Sequence, residues 1–516
     1  MMKMMAHPQL DRTHLMLWMR FVAFSALALL IFWFAWRWWR CTRPPAALTH
    51  SSTLAGAGAH LDAQGLTDPF GIALADDDLF VTDGRGGRIY RVTLTGETSV
   101  IADNLDMPSA LAIAPDDSLI VANTGDHTII RINPDNGEKT LLAGALNRSG
   151  KGANEFNAPV GIAVNDDGLI FIADTYNDRI CTLDAKGQVR VLAGGAQTNW
   201  QDGKANEAAF HTPSGLAVAS DGALYVADTG NHRIRRVAMD GTVTTIAGTG
   251  EAEVRDGSLQ EAMFDEPTAL ALRRDGALFV ADAGGSAIRL IEFGETPRVT
   301  TLSGGYPFGL RDGALNEARL HRPVGLVCNE DDALFVVDSG NGFIRALLPA
   351  NESLGKAAEA KTVATSPLQI RQRIEKSGAR WPFHPPEVRR EIAGTFGEIR
   401  GVSSSNDNAW FHNGLDIPGA YGETVYAMHS ERITRLLAVE GAGDTRERLR
   451  LPLFGYIHVR IGRDQNDQPL PSLPSAQFLR DAENNVTAVR VPRGTHIRAG
   501  QAVGTLNRLN HVHLIA

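Results

Sequence analysis

The chain has 516 residues, which is more than one ordinary domain needs and enough for two or three. Its 43% hydrophobic and 21% charged residues are typical of a folded protein and exclude a disordered one. The formal net charge of −9 argues against a dedicated nucleic-acid-binding protein, whose surface would be basic. The three cysteines, Cys41, Cys181 and Cys328, are far apart and indicate neither a disulfide framework nor a thiolate zinc site.

An apolar stretch near the amino terminus predicts a membrane anchor. Residues 15–39 are predominantly apolar and reach the roughly 20 residues that a bilayer span requires. Tryptophans and arginines at the end of this stretch are typical of a membrane interface. A cleaved signal peptide is the alternative, but no small-residue cleavage site follows closely. We therefore predict an amino-terminal tail over residues 1–14 and an uncleaved transmembrane signal anchor over 15–39. Basic residues flank both ends, so charge leaves the orientation open. A cytoplasmic location of the tail is expected only from the function that the carboxy-terminal domain implies.

One pattern recurs six times between residues 52 and 349. Each copy has a proline, an apolar run, an acidic turn, a second apolar run and then an aspartate or asparagine. The prolines are Pro69, Pro108, Pro159, Pro213, Pro267 and Pro323, and the later polar residues are Asp83, Asn123, Asp174, Asp228, Asp282 and Asp338. In the most regular copy, residues 213–237, these runs predict three strands joined by tight turns, and a fourth strand follows at 244–248.

Four strands per unit, repeated every 39 to 56 residues, are typical of propeller blades. The units resemble NHL repeats, which implies a six-bladed β-propeller over residues 52–349. The sixth unit lacks a clear fourth strand, whereas residues 52–56 read like one. We therefore predict that this amino-terminal strand completes the last blade and removes its open edge. The alternative closing strand is 361–363.

The polar residues of the repeats have a structural interpretation. We expect the acidic residue after each second strand to cap a turn by accepting backbone N–H groups. Three connecting loops, which begin at Asp202, Asp256 and Asp312, share a pattern that fits either ligand binding or regular packing on a blade. The histidines of this region are predicted to lie at non-equivalent repeat positions and to form no metal site: His127, His211, His232 and His321. The propeller is thus predicted to be a binding or positioning surface for an unidentified protein or glycan.

Two short motifs near the carboxy terminus carry metal-binding groups. Residues 411–416 read Phe-His-Asn-Gly-Leu-Asp and place His412 four residues before Asp416. His511 and His513 stand at i and i+2, so on a β-strand they face the same side. Three of these four groups could hold a zinc ion with one coordination position open for water, and the fourth could act on that water.

The sequence around both motifs resembles lysostaphin-type (LytM-like) zinc metalloendopeptidases. The matching segments are 392–401, 411–417, 422–427, 491–504 and 511–514. The resemblance implies an antiparallel β-sheet, metallopeptidase-like domain over residues 391–516. The polar segment 350–390 is predicted to be a linker, which makes the chain mainly β apart from its transmembrane helix.

The resemblance also implies a role for each site residue. His412, Asp416 and His513 would be the ligands of Zn²⁺, and His511 would assist attack by the metal-bound water. His458, in the segment Tyr-Ile-His, matches the second assisting histidine of the family.

These roles imply a membrane-anchored zinc metalloendopeptidase of the bacterial cell envelope that cleaves peptide bonds in peptidoglycan cross-links. The propeller and the carboxy-terminal domain would then face the periplasm or the cell exterior. The alternative is a catalytically inactive peptidase-like domain that acts with the propeller as an envelope scaffold. The longer connection at residues 462–490 and the early end of the chain after His513 keep this alternative open.

Overall fold

Short antiparallel strands make up nearly all the regular structure. The computed structural model describes residue 25 and residues 45–56, 66–195, 199–350, 352, 381–385, 392–393, 399–400, 410–411 and 414–515. Residues 47–516 form one compact unit. Among the described residues from 45 onward, the helical segments are three 3₁₀ turns: η1 (Thr124–Asp126), η2 (Thr175–Asn177) and η3 (Thr229–Asn231).

Six antiparallel sheets of four or five strands follow one another along the chain. The first three contain β2 (Pro69–Ala75), β3 (Asp78–Asp83), β4 (Arg88–Thr93) and β5 (Thr98–Ala102); β6 (Pro108–Ile113), β7 (Leu119–Asn123), β8 (Thr128–Ile132) and β9 (Lys139–Gly144); and β10 (Gly161–Val164), β11 (Ile170–Asp174), β12 (Arg179–Leu183) and β13 (Val189–Gly194). The fourth and fifth contain β14 (Gly203–Lys204), β15 (Pro213–Val218), β16 (Leu224–Asp228), β17 (Arg233–Val237) and β18 (Thr242–Ala247); and β19 (Gly257–Ser258), β20 (Pro267–Leu272), β21 (Leu278–Asp282), β22 (Ala287–Glu292) and β23 (Arg298–Gly304). The sixth contains β24 (Gly313–Ala314), β25 (Pro323–Cys328), β26 (Leu334–Asp338), β27 (Phe343–Pro349) and β1 (Leu48–Gly56).

The innermost strands close these sheets into a ring. The innermost strand of each sheet contacts the innermost strand of the next, and the ring closes where β25 contacts β2. In chain order these strands are β2, β6, β10, β15, β20 and β25. The cores between successive sheets contain Val, Ile, Leu, Phe and Ala from the alternating positions of neighbouring sheets. The repeat region is therefore a closed six-bladed β-propeller.

The predicted closure by the amino-terminal strand is present. Strand β1 pairs antiparallel with β27, with Ser52 opposite Ala346 and Thr53 opposite Arg345. The Thr53 backbone N–H donates to Asp312 Oδ2 at 3.0 Å, just as Thr245 and Thr301 donate to Asp202 and Asp256 in the preceding blades. Strand β1 therefore takes the place of an outer strand. The three connecting loops pack on the outer strands, as one of the two sequence interpretations expects.

Replacing Asp312 with alanine is expected to loosen the closing strand. The variant loses the acceptor for the Thr53 N–H and one partner of Arg345, at 2.6 Å. We expect a fall of about 1–2 kcal/mol in the free energy of unfolding and faster hydrogen exchange in β1. Asp202→Ala is the matched control, because Asp202 makes the equivalent contacts in a blade that β1 does not close. Equal exchange of β1 in both variants would contradict this role of Asp312.

The repeat aspartates cap turns as predicted and also form buried ion pairs. Asp228 accepts the His211 backbone N–H at 2.8 Å, and its other oxygen lies 2.7 Å from Arg235 Nη1. Arg235 is completely buried, as are its counterparts in the fifth and sixth blades, Arg289 and Arg345. Burial raises the pKa of Asp228 to about 6 despite the arginine beside it. The repeat pattern predicts the caps but not the buried arginines.

Smaller antiparallel sheets form the carboxy-terminal part. Their strands are β28 (Ile399–Arg400), β29 (Trp410–Phe411), β30 (Leu415–Pro418), β31 (Thr424–Tyr426), β32 (Glu431–Arg432), β33 (Val439–Glu440), β34 (Arg448–Arg450), β35 (Gly455–Ile457), β36 (Val459–Ile461), β37 (Gln477–Arg480), β38 (Val486–Arg490), β39 (His496–Ile497), β40 (Ala502–Leu506) and β41 (His511–Ile515). The principal sheet has the order β30-β41-β35-β34-β33. One hydrophobic core, which includes Ile417, Tyr456 and Val512, packs against one face of this sheet and leaves the other face for the predicted site.

The predicted membrane anchor, the alternative closing strand and the linker lie largely outside the described residues. Apart from Ser25, the predicted anchor over residues 15–39 lies outside the described residues, as does the alternative closing strand 361–363. In the portion of the chain that is described, no helix has the length and apolar character needed to cross a membrane. Most of the predicted linker over 350–390 also lies outside the described ranges.

Candidate functional site

Two paired strands place an aspartate opposite a histidine. Strands β30 and β41 are antiparallel neighbours, and their register sets Asp416 directly against His513. His513 Nδ1 lies 3.0 Å from Asp416 Oδ1, with only 11% and 5% of the two side chains exposed. Two ligand atoms of a tetrahedral zinc ion lie roughly 3.4 Å apart, given Zn–N and Zn–O distances near 2.1 Å. The observed pair is a few tenths of an ångström closer than this, so a small side-chain shift would place both atoms at two positions of such a site.

His511 faces the same side of β41 as His513. Its Nε2 lies 3.7 Å from Asp416 Oδ1, and its Nδ1 lies 2.8 Å from the Leu509 carbonyl oxygen. Because a carbonyl oxygen only accepts hydrogen bonds, Nδ1 carries the proton when the ring is neutral. The lone pair of Nε2 is then directed to the Asp416 side, where it can accept a proton.

His458 approaches His511 and His513 from the residue that follows a neighbouring strand. It follows β35, the other neighbour of β41, and its backbone is left-handed, with φ of 67°. Its Nδ1 donates to the Thr445 carbonyl at 2.6 Å, which again leaves Nε2 as the acceptor. Its ring centroid lies 4.6 Å from that of His511 and 6.3 Å from that of His513. Burial lowers the pKa of His458, so the neutral ring is favoured.

A short polar network holds the His458 loop. Asn507 donates its side-chain N–H to the Thr445 carbonyl at 2.7 Å, and its backbone N–H to the His458 carbonyl at 3.0 Å. The His458 N–H donates to the backbone of Glu447, whose carboxylate forms a buried ion pair with Arg463 at 2.6 Å. Neither the left-handed backbone of His458 nor these supporting residues is evident from the sequence, because the contacts join separate strands and loops.

The structure thus brings four of the five predicted site residues together: Asp416, His458, His511 and His513. The fifth, His412, lies outside the described residues. Among the residues that are described, no group of three or more His, Cys, Asp or Glu side chains is arranged to hold a metal ion. The described part of the site therefore supplies two of the three predicted ligands.

Gly414 allows the close approach of the first motif to β41. A Cβ atom at this position would lie 2.2 Å from the Leu514 carbonyl oxygen and 2.5 Å from His513 Nε2. Both distances are far below van der Waals contact, so a side chain here would push the two motifs apart. Position 414, between His412 and Asp416, therefore requires glycine for steric reasons.

Two of the repeats match the family model "NHL repeat", at residues 156–183 and 210–237. The propeller is built from NHL repeats. NHL repeat-containing protein 2 of Bos taurus is 30% identical over 274 residues, which cover 46% of this chain and 37% of that protein. SUPPRESSOR OF QUENCHING 1, chloroplastic, of Arabidopsis thaliana is 32% identical over 217 residues, 38% of this chain and 21% of that protein.

Similarity to solved structures is weaker. A structural-genomics protein from Bacteroides thetaiotaomicron superposes with a TM-score of 0.48 and 16% identity, over 58% of this chain and 75% of that one. The chain spans only about a fifth to two fifths of the length of the curated relatives above.

One face of the NHL propeller is bound to the carboxy-terminal sheets through Arg493. This side chain is fully buried, and its Nη2 lies 2.6 Å from Asp68 Oδ2 of the propeller. Its Nε donates to Ser109 Oγ at 3.0 Å, and its guanidinium carbon lies 4.2 Å from the Phe70 ring centroid. Tyr176 of the propeller accepts the Arg493 backbone N–H at 2.9 Å through its hydroxyl oxygen. This contact is missing from the sequence predictions, because nothing local distinguishes these residues.

The segment over 462–490 contributes to the same interface. Its hairpin, β37 and β38, carries Gln477 and Arg490 at the paired ends. Arg490 Nη1 lies 2.6 Å from Asp178 Oδ1 of the NHL propeller, and Gln477 donates to the Tyr176 carbonyl at 3.1 Å. The longer connection noted in the sequence thus docks the carboxy-terminal sheets on the propeller.

The prediction that the propeller histidines occupy four non-equivalent positions is wrong. His127 and His232 both follow a 3₁₀ turn in a left-handed conformation, and each Nδ1 accepts a backbone N–H from the next blade. His211 and His321 are also equivalent, since each donates its backbone N–H to the buried repeat aspartate. The repeat itself shows this equivalence, because His127 and His232 each lie four residues after the repeat Asn or Asp, and His211 and His321 each lie two residues before the repeat proline.

Proposed function

We propose that the chain is a membrane-anchored zinc metalloendopeptidase of the bacterial cell envelope that cleaves peptide bonds in peptidoglycan cross-links. The observation that carries the proposal is the meeting of Asp416, His458, His511 and His513 on one face of one sheet. The resemblance of residues 391–516 to lysostaphin-type enzymes supplies the substrate class. The anchor over residues 15–39 would hold the NHL propeller and this domain on the outer side of the cytoplasmic membrane.

The chain's own residues divide into metal-holding and proton-transferring groups. His412, Asp416 and His513 would hold the zinc ion. When bound, zinc lowers the pKa of a coordinated water towards neutrality and polarises a peptide carbonyl. His511 and His458 each have Nδ1 engaged by a backbone carbonyl, so each directs Nε2 towards the site. Such fixed imidazoles can accept a proton, return it to the leaving amine and stabilise an oxyanion.

In this proposal the NHL propeller positions the peptidase-like sheet. The propeller face that contacts Arg493 and Arg490 is occupied by the same chain, so a further protein partner must use the remaining surface. The inactive-scaffold alternative shares this architecture and differs only in turnover. Activity therefore decides between the two.

The test measures release of soluble peptide fragments from purified peptidoglycan by the full chain in detergent. His511→Ala and His458→Ala are each expected to lower the rate by about 10²–10⁴-fold, the usual contribution of a general acid or base. His496→Ala is the matched control, because His496 is an exposed histidine of the same domain, on β39, away from the site. Equal rates in all four proteins would exclude the proposed roles, and a zinc-loaded wild type that releases nothing would favour the scaffold.

A further inference from the structure

A large cavity separates the NHL propeller from the principal carboxy-terminal sheet. Its volume is about 900 Å³, enough for a small-molecule ligand or a short peptide. The propeller wall comes from the fourth to sixth blades and includes His211, Glu266 and Arg322. The opposite wall includes Arg435 and residues of β33, β34 and β35.

Positively charged side chains outnumber negatively charged ones on the walls of this cavity. Five arginines line it with only three acidic residues: Arg322, Arg435, Arg448, Arg450 and Arg490 with Asp265, Glu266 and Glu440. Glu440 is already engaged, at 2.7 Å from Arg448 Nε and 2.6 Å from Arg450 Nε. Arg490 is paired with Asp178. The remaining guanidinium groups are those of Arg322 and Arg435.

These two guanidinium groups have unused donors. In the described part of the chain, neither side chain has a carboxylate within ion-pair distance, and Arg322 Nη1 is buried without a hydrogen-bond partner. Leaving a buried donor unsatisfied costs about 1–3 kcal/mol, and more for a charged group. A bound acceptor would remove this cost.

Like charges add to the demand for an anion. Burial, followed by the guanidinium groups of Arg322 and Arg450, lowers the pKa of Arg435 to about 8. Burial also raises the pKa of Glu266, which weakens the nearest source of negative charge. A negatively charged ligand between the walls would offset the repulsion among these arginines.

We propose that this cavity binds a ligand that carries a carboxylate or phosphate group, held by Arg322 and Arg435. The planar fork of a guanidinium group matches both oxyanions, and two forks from opposite walls clamp one anion. Phe308 at the cavity stacks on His321 at 4.6 Å and is 57% exposed, so the ligand body meets an aromatic surface.

Some residues that line the cavity lie on the sheet face that carries the candidate metal site. Ile457 pairs with His513 across β35 and β41, and Arg448 pairs with Ile457 in the next strand. Directly opposed residues face the same side, so His513, Ile457 and Arg448 form one cross-strand row. The proposed anion site is nevertheless separate from the metal ligands and does not depend on their activity.

The test is isothermal titration calorimetry on the full chain in detergent. The probes are inorganic phosphate, N-acetylglutamate and, as the matched neutral compound, N-acetylglutamine. We expect one anion or both to bind and N-acetylglutamine not to bind. Arg435→Gln and Arg322→Gln are each expected to weaken binding at least tenfold, whereas Arg298→Gln, at an exposed arginine outside the cavity, leaves it unchanged.

Two further measurements distinguish this anion site from the candidate metal site and from a purely structural arginine pair. Asp416→Asn is expected to retain anion binding, so loss of binding there would place the anion on the metal site and overturn the proposal. Without ligand, the unfolding temperature of Arg435→Gln is expected to equal or exceed that of the wild type, because one of several neighbouring positive charges has been removed. No binding of either anion up to about 10 mM, a concentration well above a millimolar dissociation constant, would also overturn it. So would equal binding by wild type and Arg435→Gln.

Discussion

Asp416→Asn and His513→Ala are each expected to abolish binding of the proposed zinc ion by the purified full chain. Asp416 Oδ1 and His513 Nδ1 lie 3.0 Å apart and would be adjacent ligands. Loss of one of three protein ligands should cost more than the roughly 10–100-fold in affinity that follows loss of a residue supporting a ligand. Zinc content measured by mass spectrometry should fall from about one ion per chain in the wild type, as expected for a single site, to near zero.

The Asp416→Asn variant is the sharper of the two because it changes the charge and hardly changes the shape. Added zinc should raise the unfolding temperature of the wild type, since a ligand that binds only the folded state stabilises it. The same addition should not shift Asp416→Asn. His496→Ala, which alters an exposed histidine on β39, should keep both zinc and the shift. Unchanged zinc content in Asp416→Asn and His513→Ala would show that the metal site is elsewhere or absent.

Arg493→Ala is expected to destabilise the contact between the NHL propeller and the carboxy-terminal sheets by about 3–5 kcal/mol, the usual cost of breaking a buried ion pair from one side. Arg493 is completely buried and Asp68 is 10% exposed, so the variant leaves a carboxylate without its counter-charge. The contacts to Ser109 and the Phe70 ring are lost at the same time. Chemical denaturation should show an earlier transition, and limited proteolysis should cut the carboxy-terminal sheets at lower denaturant concentration.

The size of this effect should depend on pH. Burial raises the pKa of Asp68 even with Arg493 beside it, and removing the arginine raises that pKa further. The folded variant then holds a proton that the unfolded chain releases above about pH 4, so its free energy of unfolding falls as the pH rises. The destabilisation should thus be larger at about pH 8 than at about pH 5.

Arg432→Ala is the matched control for the interface. Arg432 pairs with Asp106 across the same contact but is 36% exposed. An exposed pair contributes less than about 1 kcal/mol. A loss as large as that of Arg493→Ala would contradict the view that burial sets the energy of this interface. Asp68→Asn combined with Arg493→Ala should recover part of the stability, since no uncompensated charge is left.

The features that the sequence predicts well are local or periodic. The six prolines and the apolar runs after them identified the blades, because a strand buries alternate residues wherever it lies in a blade. Closure by Ser52–Gly56 was predictable, since a missing strand at one end of the repeats and a spare strand at the other end leave one solution. His511 and His513 were predicted to share a face for the same reason, and β41 places them so.

The features that the sequence missed depend on pairing between distant segments. His127 and His232 each accept a backbone N–H from the next blade, and no local pattern encodes this contact between blades. In the sequence, the buried arginine partners of the repeat aspartates look like charged residues on the exposed side of their strands. His458 takes part in the site through a left-handed backbone and the Thr445 carbonyl, neither of which a short motif encodes.

By itself the sequence determined the mainly β architecture, the propeller repeats and the residue types of the candidate metal site. Those properties follow from alternation along single strands and from the spacing of residues within short motifs. Only the tertiary structure decided that Asp416 lies against His513, because strand register is set by the pairing of β30 with β41. It likewise decided that Arg493 and Arg490 are buried against the NHL propeller and that an arginine-lined cavity lies beside Arg490. These arginines gain their roles from burial, which depends on residues more than 250 positions away in the chain.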